Sequence, residues 1–264
     1  MHHATHRFSR IAATLYVGVD FFHRAGLSRD DVPAPRGLVD RFEQLCPPSL
    51  DTARLPASVR AFFEDTASLD LHIRTRWHPL ARLFWTVGRL VMRAVGQLCL
   101  PLDTAHVRTK MIALDGAREG RDDVRGVVRS TVDDGRVFQV FAYGVTEAMM
   151  SVAIPLPLGH LAGLLRVELS GDGRAVTLTS QRDDGALPTG VWYVTRYFAL
   201  PMPLGETLRF WSADDPDAPI AAGDRAWPDA TLVALHTQTL FGLTVVKHTY
   251  TFRPLREALT EVDR

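Results

Sequence analysis

The side chains best placed to do chemistry lie in the C-terminal run ATLVALHTQTLFGLTVVKHTYTFRP. It reads as two strands, and with the turn centred on Gly242, His236 faces His248. Ala234, His236, Gln238, Val246, His248, Tyr250 and Phe252 then share one face, because alternate residues of a strand point the same way. That face is apolar apart from the tips of His236, Gln238, His248 and Tyr250. Ligand cavities are built this way, with mostly apolar walls and few placed polar groups. Imidazoles titrate near neutral pH, so a histidine pair there could also pass protons. The opposite face carries Thr237, Thr239, Lys247, Thr249 and Thr251, as a solvated sheet surface does. A two-residue loop would separate the histidines and mix the faces, so the register is left open.

A different chemistry would need Cys99 to meet His248 or His236 and an acid such as Asp103 or Asp115. Thiol, base and carboxylate within hydrogen-bond reach make a nucleophilic system. The competing reading is a buried, inert cysteine. Glu64 and Asp65, beside Phe62 and Phe63, offer a carboxylate that partial burial could turn into a base. The acid pairs Asp122/Asp123, Asp133/Asp134 and Asp183/Asp184 sit next to glycines and read as turn residues.

These groups need elements to hold them. Leu80 to Leu98 is the clearest helix: Leu80, Leu83, Phe84, Val87, Leu90, Val91, Val95 and Leu98 form one stripe. Arg82, Arg89 and Arg93 fall opposite it, and no acidic residue occurs from Leu71 to Leu102. The stripe is expected to be buried on the sheet, with the arginines exposed. The rival reading is a basic amphipathic helix that touches anionic lipid through Arg82, Arg89 and Arg93. The arginines interrupt it too often for a membrane span.

Further helices are expected over 8–24, where Phe8, Ile11, Leu15, Val19 and Phe22 recur at helical spacing, over 38–45, and from Pro56 through Phe63. Leu69, Leu71 and Ile73 alternate with polar residues as a short strand does. Beyond residue 103 nine or ten strands are expected: 105–114, 124–132, 137–144, 148–154, 161–169, 174–181, 190–199, 206–212, 230–240 and 244–253. Asp134-Gly135 and Asp172-Gly173 read as two-residue type I′ turns. The first would pair Val132 with Val137 and Val128 with Phe141; the second would pair Leu169 with Val176 and Val167 with Leu178. Ile154–Gly159 (IPLPLG) resembles Leu200–Gly205 (LPMPLG), read as edge-protecting connections or, alternatively, as lids of a barrel mouth. The stretch 213–229 reads as a long acidic loop and a candidate flap.

The expected fold is α+β. A mainly helical segment, 1–102, packs on a large antiparallel sheet or half-barrel, 103–264, around one joint core. This layout resembles lipocalin-like and helix-grip folds that bind lipids and small molecules; the resemblance is to the fold alone and transfers no residue role.

Thirty basic and thirty acidic residues cancel, which gives no general reason to expect nucleic acid. Two cysteines, Cys46 and Cys99, make no disulfide framework. No phosphate loop, dinucleotide fingerprint, zinc motif or nucleophile elbow occurs, so neither a cofactor nor a metal is expected. His2, His3 and His6 read as a terminal tail. The start lacks a signal-peptide profile, and a cytoplasmic location is expected. The leading functional reading is a binding protein for a small hydrophobic molecule in a sheet-lined cavity. Alternatives are a cofactor-free cyclase, isomerase or hydrolase on the same scaffold, and docking on a membrane or partner through helix 80–98. Whether any reaction is catalysed, and in what oligomeric state, is left open.

Overall fold

Period-two alternation of Val, Leu, Ile and Phe favours strands that bury one face, and enough such strands in succession can close a twisted sheet on itself. The computed structural model describes residues 8–12, 16–181, 189–218 and 226–255. Its strands are β1 (Leu69–Trp77), β2 (Thr104–Ala113), β3 (Arg125–Thr131), β4 (Val137–Thr146), β5 (Met149–Leu156) and β6 (Gly159–Leu169). They continue as β7 (Val176–Thr179), β8 (Gly190–Val194), β9 (Ala199–Pro201), β10 (Leu204–Ser212), β11 (Leu232–Leu240) and β12 (Leu243–Pro254). The helices are α1 (Phe21–Arg24), α2 (Ala57–Glu64), α3 (Pro79–Val95) and α4 (Gly116–Glu119).

Neighbours along the chain pair antiparallel from β1 to β7; β7 pairs with β10, and β12 returns to β1. Ten strands thus close a barrel, and β8 and β9 branch from β6. Closure satisfies the edge hydrogen bonds that an open sheet would leave exposed.

One end of the barrel is plugged. Pro56 starts α2, which drives Phe62 against Phe210 at 4.5 Å and Phe252 at 5.2 Å, with Phe63 packed on Phe42. These side chains belong to the same core as Leu71, Ile73, Val127 and Leu165 of the barrel interior. Residues before 103 therefore share the barrel's core, and β1 is itself a barrel strand between β2 and β12. At the other end the connection from β1 to β2 crosses the opening as α3 and residues 96–103. Buried Gln97 pins this crossing: its amide donates to the carbonyls of Val140 (2.6 Å) and Pro155 (3.2 Å).

Several sequence expectations are corrected. The helix over 8–24 reduces to α1; residues 8–12 and 16–20 are not helical. Their backbone bonds go elsewhere, Arg10 N–H to Glu119 and Val17 N–H to Val95. Ile11, Val17, Phe21 and Phe22 instead bury on the outer sheet face around Val128 and Val140. The helix over 38–45 is only a 3₁₀ turn, Phe42–Leu45.

The largest correction concerns α3. Its apolar stripe faces outward: Leu83, Phe84 and Leu90 are 64%, 75% and 66% exposed. The partly buried face is Ala81, Trp85, Gly88, Arg89, Met92 and Val95. Gln97 tethers the crossing so that Trp85, Leu98 and Leu100, and not the stripe, bound the barrel interior.

The register at Asp172-Gly173 is as expected, with Leu169 opposite Val176 and Val167 opposite Leu178. Only Gly173 takes a positive φ, however, so the turn is not type I′. The Asp172 carboxylate shapes it by accepting from Ser170 Oγ and Arg174 N–H. At Asp134-Gly135 the pairing differs: Val128 faces Val140 and Val127 faces Phe141, after a bulge at Arg129/Ser130. Asp134 accepts from Thr131 Oγ1 and Arg136 N–H, which widens the loop beyond two residues.

Candidate functional site

The last hairpin has both features that the sequence set against each other. Phe241 and Gly242 form a two-residue turn with φ of 50° and 79°, and His236 still faces His248. A bulge at Gln238/Thr239 shifts the register by one residue and reconciles them. The even-numbered face, His236, Gln238, His248 and Tyr250, therefore points into the barrel, where it lines a cavity of about 280 Å³. Apolar residues supply most of the wall, among them Phe141, Met150, Leu165, Leu178, Leu208 and Phe210. Trp85, Leu98 and Leu100 of the crossing segment bound the same cavity.

Within it the polar groups form a belt. His248 Nδ1 meets Thr75 Oγ1 at 2.9 Å, and His236 Nδ1 meets Tyr250 Oη at 3.1 Å. The imidazole rings lie 5.6 Å apart. His236 Nε2 and His248 Nε2 have no hydrogen-bond partner among the described residues. Burial holds the His248 pKa down at about 4; burial first, then His248 and Arg129, hold His236 well below the ordinary range. Both rings are neutral at pH 7. Burial pushes Tyr250 upward, so it stays a phenol.

Sequence reasoning missed two members. Glu206 on β10 is opposite Gln238, with a carboxylate oxygen 3.7 Å from His236 Nε2, too far for a hydrogen bond. A quarter of its side chain is open, and it lines the cavity, whose apolar wall raises its pKa to about 7. Arg129 on β3 lines the cavity from another wall, its guanidinium 5.1 Å over the Phe141 ring. Both sit on the inward face of their strands, a parity that strand alternation could have revealed; their charges suggested solvent instead. Chemically, the belt places a carboxyl whose pKa of about 7 lets it give or take a proton near neutral pH beside an imidazole that burial keeps neutral.

The thiol site is spread over different places. Cys99 and Asp103 line an outer groove with Arg89 and Arg93, whereas His248 lines the internal cavity. Burial raises the Cys99 thiol pKa, against thiolate formation. Glu64 accepts from Phe42 N–H and Arg60, and Asp65 is held by Arg36, which accounts for both carboxylates structurally. No cluster among the described residues has the make-up of a metal site. His2, His3, His6, the Asp183/Asp184 pair and the centre of the 213–229 loop lie outside the described residues.

Both proline-rich repeats reach the open end. Pro157 accepts from Tyr193 Oη, and Pro203 accepts from Phe241 N–H. Around them Leu158, Tyr197, Phe241 and Leu243 project outward, Leu158 being 84% exposed. Among the described residues no helix is long and apolar enough to cross a membrane. The fold and the cavity thus define a closed antiparallel barrel with a polar belt inside an apolar chamber. Comparison of the chain with protein-family models, with curated proteins and with solved structures finds no match.

Proposed function

We propose that the protein binds a small hydrophobic molecule inside the barrel. The observation that carries this reading is the chamber of about 280 Å³, apolar on most of its wall, with His236, His248, Gln238 and Tyr250 among its few polar lining residues. An empty apolar chamber forfeits packing contacts, and polar tips in it call for a ligand or ordered water. Native mass spectrometry of the full-length protein, followed by organic extraction, tests it. The expected result is one retained apolar species that disappears in Gly163→Phe. Gly163 faces the cavity, and a Cβ added there would meet its nearest neighbour, Val152, at 3.8 Å, so a larger side chain has room to enter and fill the space. Purified protein without any retained or acquired apolar species would overturn the reading.

A second reading, docking on an anionic membrane, is favoured by the outward apolar face of α3. Leu158, Tyr197, Phe241 and Leu243 extend that face around the open end. Charge agrees with it. The segments 71–102, 148–167, 189–205 and 230–255 reach this end without an Asp or Glu, while carrying Arg74, Arg76, Arg82, Arg89, Arg93, Arg196 and Lys247. Of the nearby acids, Asp103 and Asp134 are paired with Arg82 and Arg136, and Asp133 in the same turn as Asp134 is exposed. Apolar residues flanked by arginines suit the interface of a bilayer with negative head groups. Co-sedimentation with phosphatidylcholine vesicles, with and without phosphatidylglycerol, is expected to show binding only to the anionic set. A stable dimer that covers α3 and no vesicle binding would assign the face to a second copy instead.

A further inference from the structure

We infer that the cavity's ligand is an amphiphile with a carboxylate head, and that Arg129 holds that head. This rests on the cavity-binding reading above and adds the chemical class of the ligand. Its origin is a contrast among three buried arginines. Arg121 is bound by the Glu119 carboxylate, with Nε to Oε2 at 2.9 Å, and by Ser151 Oγ at 2.7 Å. Arg125 is bound by Asp40 at 2.6 Å and by the Gly37 carbonyl at 2.8 Å. Arg129 is 8% exposed, and its Nε has no hydrogen-bond partner. Among the described residues no carboxylate comes within ion-pair distance of it, and the Phe141 ring is its recorded neighbour.

A histidine or a carboxyl group relieves burial by becoming neutral, as His236, His248 and Glu206 do here. A guanidinium cannot, because it stays protonated throughout the range in which proteins fold. A buried cation without a counter-ion is costly, and an arriving anion removes that cost. The guanidinium's parallel N–H pair matches the two oxygens of a carboxylate. Gln139, which faces Arg129 on β4 and also lines the cavity, adds an amide donor. The remaining wall, from Phe141 through Leu165 to Leu208, is apolar and receives a hydrocarbon tail. The head is thus specified by one residue and the tail by the rest of the chamber.

Calorimetric titration of lipid-stripped full-length protein with decanoate and with 1-decanol at pH 6, where decanoate is ionised and Glu206 is protonated, separates the two contributions. Decanoate is expected to bind about ten-fold or more tightly than decanol, in keeping with a charge-assisted pair. Arg129→Met is expected to remove that preference by weakening decanoate, with an unchanged circular-dichroism spectrum and melting temperature showing that the variant is folded; Arg129→Lys is expected to keep part of it. Equal binding of acid and alcohol by the natural protein, or an undiminished acid preference in Arg129→Met, overturns the head-group assignment and leaves the cavity reading standing. Failure of both probes to bind overturns the cavity reading, and this inference with it.

Discussion

At one end of the barrel, Phe62 and Phe63 of α2 lie between Phe42, Phe210 and Phe252, all buried, while nearby turns carry Asp115, Asp122, Asp123, Glu147 and Asp172. At the other end α3 turns Leu83, Phe84, Val87 and Leu90 to solvent, and its charged residues are arginines. Both helices are amphipathic and both cap a barrel mouth. The difference is in what their apolar faces meet. α2 finds the open interior of the barrel and becomes part of the core. α3 meets the rim with its weaker face and leaves its stronger one free. An apolar stripe shows that a helix has a partner to find, without saying that the partner belongs to the same chain.

Mutations should separate the two ends sharply. Phe63→Ala should cost about 3–5 kcal/mol in urea-unfolding free energy, as buried aromatic truncations do. Leu83→Ala and Leu90→Ala should each cost less than about 0.5 kcal/mol, the range for exposed sites. Equal losses at both ends would show that the α3 stripe is buried in solution.

The buried arginines sharpen the contrast inside the wall. Arg121→Met leaves Glu119 as a buried charge and should cost about 3–5 kcal/mol by the same measurement. Arg129→Met breaks no pair and should be close to neutral in the ligand-free protein.

Between the ends, the polar belt sets the pH response. His236 and His248 of the belt, together with His160, which is buried against the Ile11 carbonyl outside the cavity and has a pKa of about 4, bind fewer protons folded than unfolded, so stability should fall as pH drops below about 6.5. Glu206 acts in the opposite direction. Its folded pKa of about 7 exceeds the ordinary 4.5, so the folded state binds more protons and stability declines as pH rises through that window. Glu206→Gln should therefore match the natural protein near pH 4.5 and exceed it at pH 8, by on the order of 2–3 kcal/mol. Melting temperatures across this range would check it; a variant less stable at pH 8 would mean that the carboxylate is stabilised by a partner.

The smallest effect on stability should be the most informative about docking. Replacing Leu83, Phe84 and Leu90 together by Ser should leave the melting temperature nearly unchanged and abolish sedimentation with anionic vesicles. High salt should weaken the binding of the natural protein by screening the arginines. Vesicle binding unaffected by the triple change would exclude α3 as the contact.

Most strands from β2 onward were legible as expected segments, because one-sided burial imposes a period of two that a sequence displays directly, but the expected strand 190–199 breaks at 195–198 into β8 and β9. The face shared by His236, Gln238, His248 and Tyr250 was legible for the same reason, and the bulge at Gln238/Thr239 is what preserves it. Glu206 and Arg129 were not legible. Each obeys the inward parity of its strand, yet a charged residue at such a position carries no mark in the sequence to distinguish a cavity wall from a solvated face. Within 8–24, Ile11 and Phe22 bury on the outer sheet face without sharing one continuous helix, while Val19 is exposed, so apolar spacing there did not report a helix.

The sequence by itself determined the local periods: which residues alternate, and where Pro56 and Pro79 start helices. Those follow from neighbours along the chain. The tertiary structure alone decided that β12 returns to pair with β1 and closes the barrel. Closure gave the sheet an interior with a chamber lined by Arg129, His236 and His248, and left the α3 stripe outside it. Those outcomes depend on which surfaces remain after the strands have met, and contacts between distant residues settle that.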